Sequence, residues 1–247
     1  AGVHIVTGDT KVVNRGHGDG VFINTSGVGF IPAGVALSGA FCKPGDKILV
    51  SGTLGDHGIT VMACREELSF NADIQSDAAP LNHLIAEVLA AAPETRCFRD
   101  PTRGGLASTL NELAAQSGVD FVIEEDTVPV KDAVRGACEM LGYDVYQVAN
   151  EGKMVCVVSA EQAEAALAAM RSNKYGVDAA IIGEVVEKPE DRSSRVSIRT
   201  GFGALRIMDM VGWRASFRVF ASVDTIEKQF EALFKNWVLN RPVSNMR

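Results

Sequence analysis

Apolar and polar positions repeat on two different periods along this chain, and each change of period marks an element. Lys47-Ile48-Leu49-Val50-Ser51 is a short continuous apolar run after the turn-rich Ala40-Phe41-Cys42-Lys43-Pro44-Gly45-Asp46, and it predicts a buried strand. Gly52, Gly55 and Gly58 lead from it into a helix over about 57–68, with Asp56 as N-cap. A second helix is predicted over 80–92, burying Leu81, Leu84, Ile85, Val88 and Leu89. A third begins after Asp100-Pro101-Thr102, with Pro101 in its first turn. Its apolar face is Leu106, Leu110, Leu113 and Ala114, and Gly118 ends it. Strands are expected at 121–124, 154–159, 180–187 and 195–199, with helices from Lys131 and from Glu161 among them. Helices and strands interleave without clean βαβ repeats. That favours an α+β layered domain over a doubly wound parallel sheet. No internal repeat or low-complexity segment interrupts the pattern.

Composition narrows the function classes. The chain is 47% hydrophobic and 22% charged, as a soluble globular protein is. A net charge of -7 argues against a general nucleic-acid binder. No apolar run approaches the roughly 18–20 residues that span a bilayer, so no membrane association is expected. Residues 1–13 lack the basic start and long apolar core of a signal peptide. Cys42, Cys64, Cys97, Cys138 and Cys156 form no C-x-x-C pair. They read as reduced, mostly buried thiols of a cytoplasmic protein, and a zinc site is not expected.

Four segments carry candidate chemistry. In Val6-Thr7-Gly8-Asp9-Thr10-Lys11-Val12-Val13, positions 9 and 11 of an extended segment share a face. A carboxylate beside an ammonium suits phosphate chemistry: Asp can hold a divalent cation, and Lys can neutralise phosphate charge or move a proton. The plainer alternative is a surface ion pair. Gly52-Thr53-Leu54-Gly55-Asp56-His57-Gly58 places glycines between a strand and a helix, where backbone amides can approach an anion. It lacks the Gly-Lys-Ser/Thr ending of a Walker A loop and serves equally as a tight turn. His57 is as readily a solvated or capping residue as a catalytic one. In Asp100-Pro101-Thr102-Arg103-Gly104-Gly105, Arg103 could bind phosphate or carboxylate bidentately, or lie on the surface of a capped helix. Asn150-Glu151-Gly152-Lys153 places a carboxylate at a strand mouth, which is either a general base or a charged turn.

These segments, together with Asp19-Gly20-Val21-Phe22-Ile23-Asn24-Thr25-Ser26-Gly27-Val28-Gly29, occur in the order and spacing of a known family. From residue 1 to about Asp209 the chain resembles the HypE family of hydrogenase-maturation carbamoyl dehydratases. That family shares a superfamily with aminoimidazole-ribonucleotide synthetase, selenophosphate synthetase and thiamine-phosphate kinase. The resemblance implies an α+β fold: an aminoimidazole-ribonucleotide-synthetase-like C-terminal domain over 39–210, with 1–38 a remnant of an N-terminal ATP-binding and dimerisation domain. It implies a strand around 21–24. It also implies Lys11 and Glu151 as the acid–base pair facing one groove, and Asp9 as a ligand of Mg²⁺. Thr10, Thr102, Arg103, Gly104 and Asn150 are then the ATP-binding contacts. The implied reaction turns an S-carbamoyl-cysteine into thiocyanate for the cyanide ligands of hydrogenase. The implied partners are a carbamoyltransferase, an iron-scaffold protein and a second copy of the chain.

Family members carry a longer N-terminal stretch and end in Pro-Arg, an aliphatic residue and Cys. Residues 211–247 depart from this. They hold six of the sixteen aromatics and six Lys/Arg against three Asp/Glu, and no cysteine follows Cys156. Ile226, Phe230, Leu233, Phe234 and Trp237 recur at helical spacing, so an amphipathic helix packed on the body is expected there. Two other readings stay open at this point: another ATP-dependent superfamily member, such as a small-molecule kinase or amidine-forming synthetase, and a non-catalytic interaction module.

Overall fold

The computed structural model describes residues 1–18, 20–65 and 74–210. The expected helix in the 211–247 tail lies outside the described residues.

Seven strands form one mixed sheet: β1 (Lys47–Val50), β2 (Thr95–Arg99), β3 (Asp120–Glu124), β4 (Val155–Val158), β5 (Ala180–Val186), β6 (Val196–Arg199) and β7 (Leu205–Ile207). Their order is β2-β4-β1-β5-β3-β6-β7, and every neighbouring pair is antiparallel except β3 with β6. Alternation along the strands assigns each side chain to a face. Ile48 and Val50 of β1, with Val155 and Val157 of β4, point to one face. Leu49, Cys156 and Val158 point to the other. The first face is covered by α1 (Asp56–Arg65), α3 (Gly105–Ser117) and α4 (Asp132–Leu141), through Ile59, Leu106, Leu110, Leu113 and Val134. The second is covered by α2 (Asn82–Ala91) and α5 (Ala163–Ser172), through Leu84, Val88, Leu167 and Met170. The architecture is thus helices, sheet, helices, and the α+β expectation holds.

Local expectations differ from the structure in several places. The helix after Asp100 starts later than expected, at Gly105, because Gly104 and Gly105 both take left-handed angles. Pro101 therefore lies in the loop before the helix rather than in its first turn. β2 was not expected: its two arginines break the apolar pattern, and it forms an edge of the sheet that only β4 pairs. β7, the opposite edge, is exposed along its length and is held by its ladder to β6. Conversely, no strand forms around 21–24. The described residues of 1–38 hold neither helix nor strand, and Val21, Phe22 and Ile23 are exposed. A strand needs a partner ladder, and among the described residues none lies beside this segment.

One buried ion pair anchors the parallel crossing. Asp120 opens β3 and is buried. Its carboxylate accepts from Arg192 Nη1 at 3.0 Å and from the Arg195 backbone N–H at 3.0 Å, and pairs with Arg192 Nη2. Burial alone would raise this carboxyl. The Arg192 hydrogen bond, the Arg195 amide and the two guanidinium charges outweigh burial and hold it below its ordinary 3.8. A depressed folded value stabilises the fold fully above the unfolded one, and the contribution is lost as pH falls through the folded one. Asp120→Asn is expected to cost about 2 kcal/mol at neutral pH. Urea unfolding at a series of pH values checks this, and the gap from the parent protein should close in strong acid.

Candidate active site

The site begins where β1 ends. Ser51 exchanges backbone and side-chain hydrogen bonds with Met154, since Ser51 N–H donates to Met154 O and Met154 N–H donates to Ser51 Oγ, each at 3.0 Å. This staples the glycine loop to the start of β4. Leu54 N–H then donates to Pro129 O at 2.9 Å, and Gly58 N–H to Ala149 O at 3.0 Å. Asp56, expected as the N-cap of α1, is instead its first helical residue. Its Oδ2 accepts from Thr53 Oγ1 at 2.6 Å and pairs with Lys131 Nζ at 3.1 Å. His57 is half-buried and its Nδ1 lies 2.9 Å from Ser76 Oγ.

Asn150 joins three of the four sequence segments. It is fully buried. Its Oδ1 accepts the Gly55 N–H at 2.8 Å, and its Nδ2 donates to Pro101 O at 3.1 Å and to Val148 O at 3.0 Å. The Asn150 N–H also donates to Pro101 O, at 3.2 Å. Gly105 completes the junction: its φ is +60°, and a Cβ there would stand 2.5 Å from Tyr146 O. Only glycine lets the start of α3 lie this close to the 146–148 backbone. The glycine loop, the Asp100–Gly105 loop and the Asn150–Lys153 loop thus meet at one end of the sheet.

The expected residues take different places around this junction. Thr102 is half-buried, and Arg103, Gly104 and Glu151 are exposed. Asn150, expected at ATP, instead presents its whole amide to this chain's own backbone. Asp9, Thr10 and Lys11 are exposed in the N-terminal segment, where Asp9 accepts from the Thr10 N–H at 2.8 Å. Among the described residues no ion pair joins Lys11 to Glu151. The cleft beside the junction, about 330 Å³, is lined by Gly52, Thr53, Asp56, Asp77, Lys131 and Lys153 among others, and not by Lys11 or Glu151. Sequence reasoning missed Asp77 and Lys131. Asp77 sits in Ser76-Asp77-Ala78-Ala79-Pro80, and a carboxylate in the proline-containing loop before α2 is the available signal.

Among the described residues no three His, Cys, Asp or Glu side chains cluster to hold a metal ion. Asp9 is the one described carboxylate of residues 1–38, and the described residues do not complete a Mg²⁺ site around it. No helix among them is long and apolar enough to cross a membrane. Of the cysteines, Cys42, Cys97, Cys138 and Cys156 are buried and Cys64 is exposed. Burial pushes the Cys156 and Cys138 thiols up, which suppresses their nucleophilicity. A thiol reagent is expected to label Cys64 first in the folded protein and all five cysteines after denaturation. Peptide mapping of the labelled chain checks this.

Known proteins match this chain in sequence and in fold. The family described as AIR synthase related protein, C-terminal domain, matches residues 43–195. The carbamoyl dehydratase HypE of Azotobacter vinelandii is 56% identical over 209 residues, which cover 85% of this chain and 60% of that protein. The chain thus spans about three-fifths of the length of the curated relatives it matches. A crystal structure of a HypE–HypF complex matches with a TM-score of 0.66 and 48% identity, over 70% of this chain and 55% of that one. HypE in complex with ATP matches with a TM-score of 0.69 and 42% identity, over 73% of this chain and 55% of that one. The chain belongs to the AIR synthase related family and carries the family's C-terminal domain across residues 43–195.

Proposed function

We propose that this chain forms part of an ATP-dependent carbamoyl dehydratase that converts S-carbamoyl-cysteine to thiocyanate, for the cyanide ligands of nickel–iron hydrogenase. The observation that carries this reading is the 56% identity to a carbamoyl dehydratase HypE across 209 residues, a stretch long enough to take in all the sequence segments described above. An amide oxygen is a poor leaving group. Transfer of the γ-phosphoryl group of ATP to the carbamoyl oxygen makes it one: the C–O bond then breaks, the oxygen leaves in phosphate, and nitrogen gives up two protons to form the nitrile. Glu151 is the base that takes a nitrogen proton, and Lys11 balances charge on the transferring phosphoryl group. Thr10, Thr102, Arg103 and Gly104 contact the nucleotide, and Asp9 supplies one oxygen to Mg²⁺. Asn150 serves the same site by bracing the loops that carry these groups.

The complex of a HypE with HypF supports a carbamoyltransferase partner for this chain as well. An iron-scaffold protein, a second copy of the chain and a cytoplasmic setting complete the proposal. So does the division into a 1–38 segment of the ATP-binding domain, a 39–210 domain and a distinct 211–247 tail. The test is made on this chain joined to the remaining length that its relatives carry. Protein bearing an S-carbamoylated cysteine is incubated with ATP and Mg²⁺ and followed by intact mass. The expected result is ATP-dependent loss of one water from the carbamoylated species. A carbamoyl adduct that persists while ATP is consumed would overturn the reading.

A further inference from the structure

We propose that Asp77 is a positioning residue for Glu151, an inference that rests on the reading of Glu151 as the general base. Glu151 occupies a bend between Asn150 and β4, and its side chain is exposed. An exposed carboxylate on a bend has no packing to aim it, so its direction must come from its backbone. Asp77 supplies that constraint. The Asp77 side chain is 2% exposed, and its Oδ1 accepts from two consecutive amides, Glu151 N–H at 3.0 Å and Gly152 N–H at 3.3 Å. Successive amides converging on one oxygen form the concavity that proteins use to hold anions. Here the anion is the chain's own carboxylate, delivered from a segment 74 residues upstream of Glu151.

Two further contacts show that this clamp is built into the fold. Asp77 Oδ2 lies 3.4 Å from Lys153 Nζ, and the Lys153 side chain is 12% exposed, so the charge is balanced in a mostly dry place. That oxygen is buried and makes no hydrogen bond of good geometry, so its pairing with Lys153 is through charge alone. In addition, the backbone of Asp77 fills the space beside Gly152: a Cβ at Gly152 would stand 1.7 Å from Asp77 O. The 75–79 segment therefore holds residues 151 and 152 by side chain and by main chain. One edge of this clamp lines the cleft, through Asp77, Gly152 and Lys153.

The clamp fixes the backbone from which the Glu151 carboxylate projects, and leaves nucleotide binding to other groups. Asp77→Ala is expected to lower kcat about 100-fold with the KM for ATP nearly unchanged, because misaiming a base removes most of its contribution. Asp77→Asn keeps an oxygen for both amides and should recover turnover to within about ten-fold of the parent protein. Equal kcat in Asp77→Ala and parent, or a loss confined to KM, overturns the proposal. A second measurement separates this from the general-base reading. Hydrogen exchange at the Glu151 and Gly152 amides should quicken about ten-fold or more in Asp77→Ala, and unchanged exchange also overturns the proposal. If Glu151→Gln turns over normally, the base assignment fails, whereas faster exchange in Asp77→Ala still establishes the clamp.

Discussion

Asn150→Ala is expected to destabilise the protein by about 4 kcal/mol and to loosen three loops together. The wild-type amide satisfies the Gly55 N–H, Pro101 O and Val148 O in a fully buried position. Pro101 O keeps a second donor in the variant, the backbone N–H of residue 150. Among the described residues Gly55 N–H and Val148 O keep no such second partner, and a buried orphan costs about 1–3 kcal/mol each. A small cavity adds to that cost. Asn150→Asp separates shape from hydrogen bonding. It preserves the volume and the acceptor for Gly55, but its second oxygen then faces two carbonyls. The carboxylate can relieve this by taking up a proton, so the aspartate variant should be least stable at neutral pH and recover in mild acid. Chemical denaturation at two pH values reads both effects. An alanine variant within about 1 kcal/mol of the parent would show that water or a shifted backbone replaces the strut.

Glu151→Gln is expected to lower turnover about 100-fold or more while leaving ATP binding near its parental strength. Glutamine keeps the shape of glutamate and removes the proton acceptor of the proposed base, so on that proposal the loss should fall on kcat. On the role proposed for Lys11, charge opposite the transferring phosphoryl group, Lys11→Ala should produce a loss of similar size by a different route. The two variants are separated by the step that fails. With Glu151→Gln, ATP should still react and a phosphorylated species should accumulate. With Lys11→Ala, phosphoryl transfer itself should slow. Both are measured at the length of the relatives, by intact mass and phosphate release. Parental kcat in Glu151→Gln would remove the base from this chain's share of the site.

How much of this was legible beforehand can be seen at particular residues. Periodicity placed β1, β3, β4, β5 and β6 within a residue or two, because β1 and β4 are buried apolar runs and β3, β5 and β6 set Phe121, Ile123, Ile182, Val185, Val196 and Ile198 into the core. Gly118 ended its helix as expected, since it takes the left-handed angle that a helix end uses. The segments from Gly52 to Gly58, Asp100 to Gly105 and Asn150 to Lys153 were visible as candidate chemistry because glycines beside charges are rare inside elements.

The sequence by itself determined the layered α+β class, the family resemblance and the identity of most loops at the site. Only the tertiary structure decided that Asn150 is a strut, that Asp77 holds the Glu151 backbone, and that Gly105 and Gly152 are demanded by backbone approaching from elsewhere. The reason is physical. Periodicity reports which side of an element faces the core, a local property carried by neighbouring residues. A hydrogen bond between Gly55 and Asn150 spans 95 positions, and one between Asp77 and Glu151 spans 74. No local pattern encodes such a pair, so folding alone brings the partners within reach.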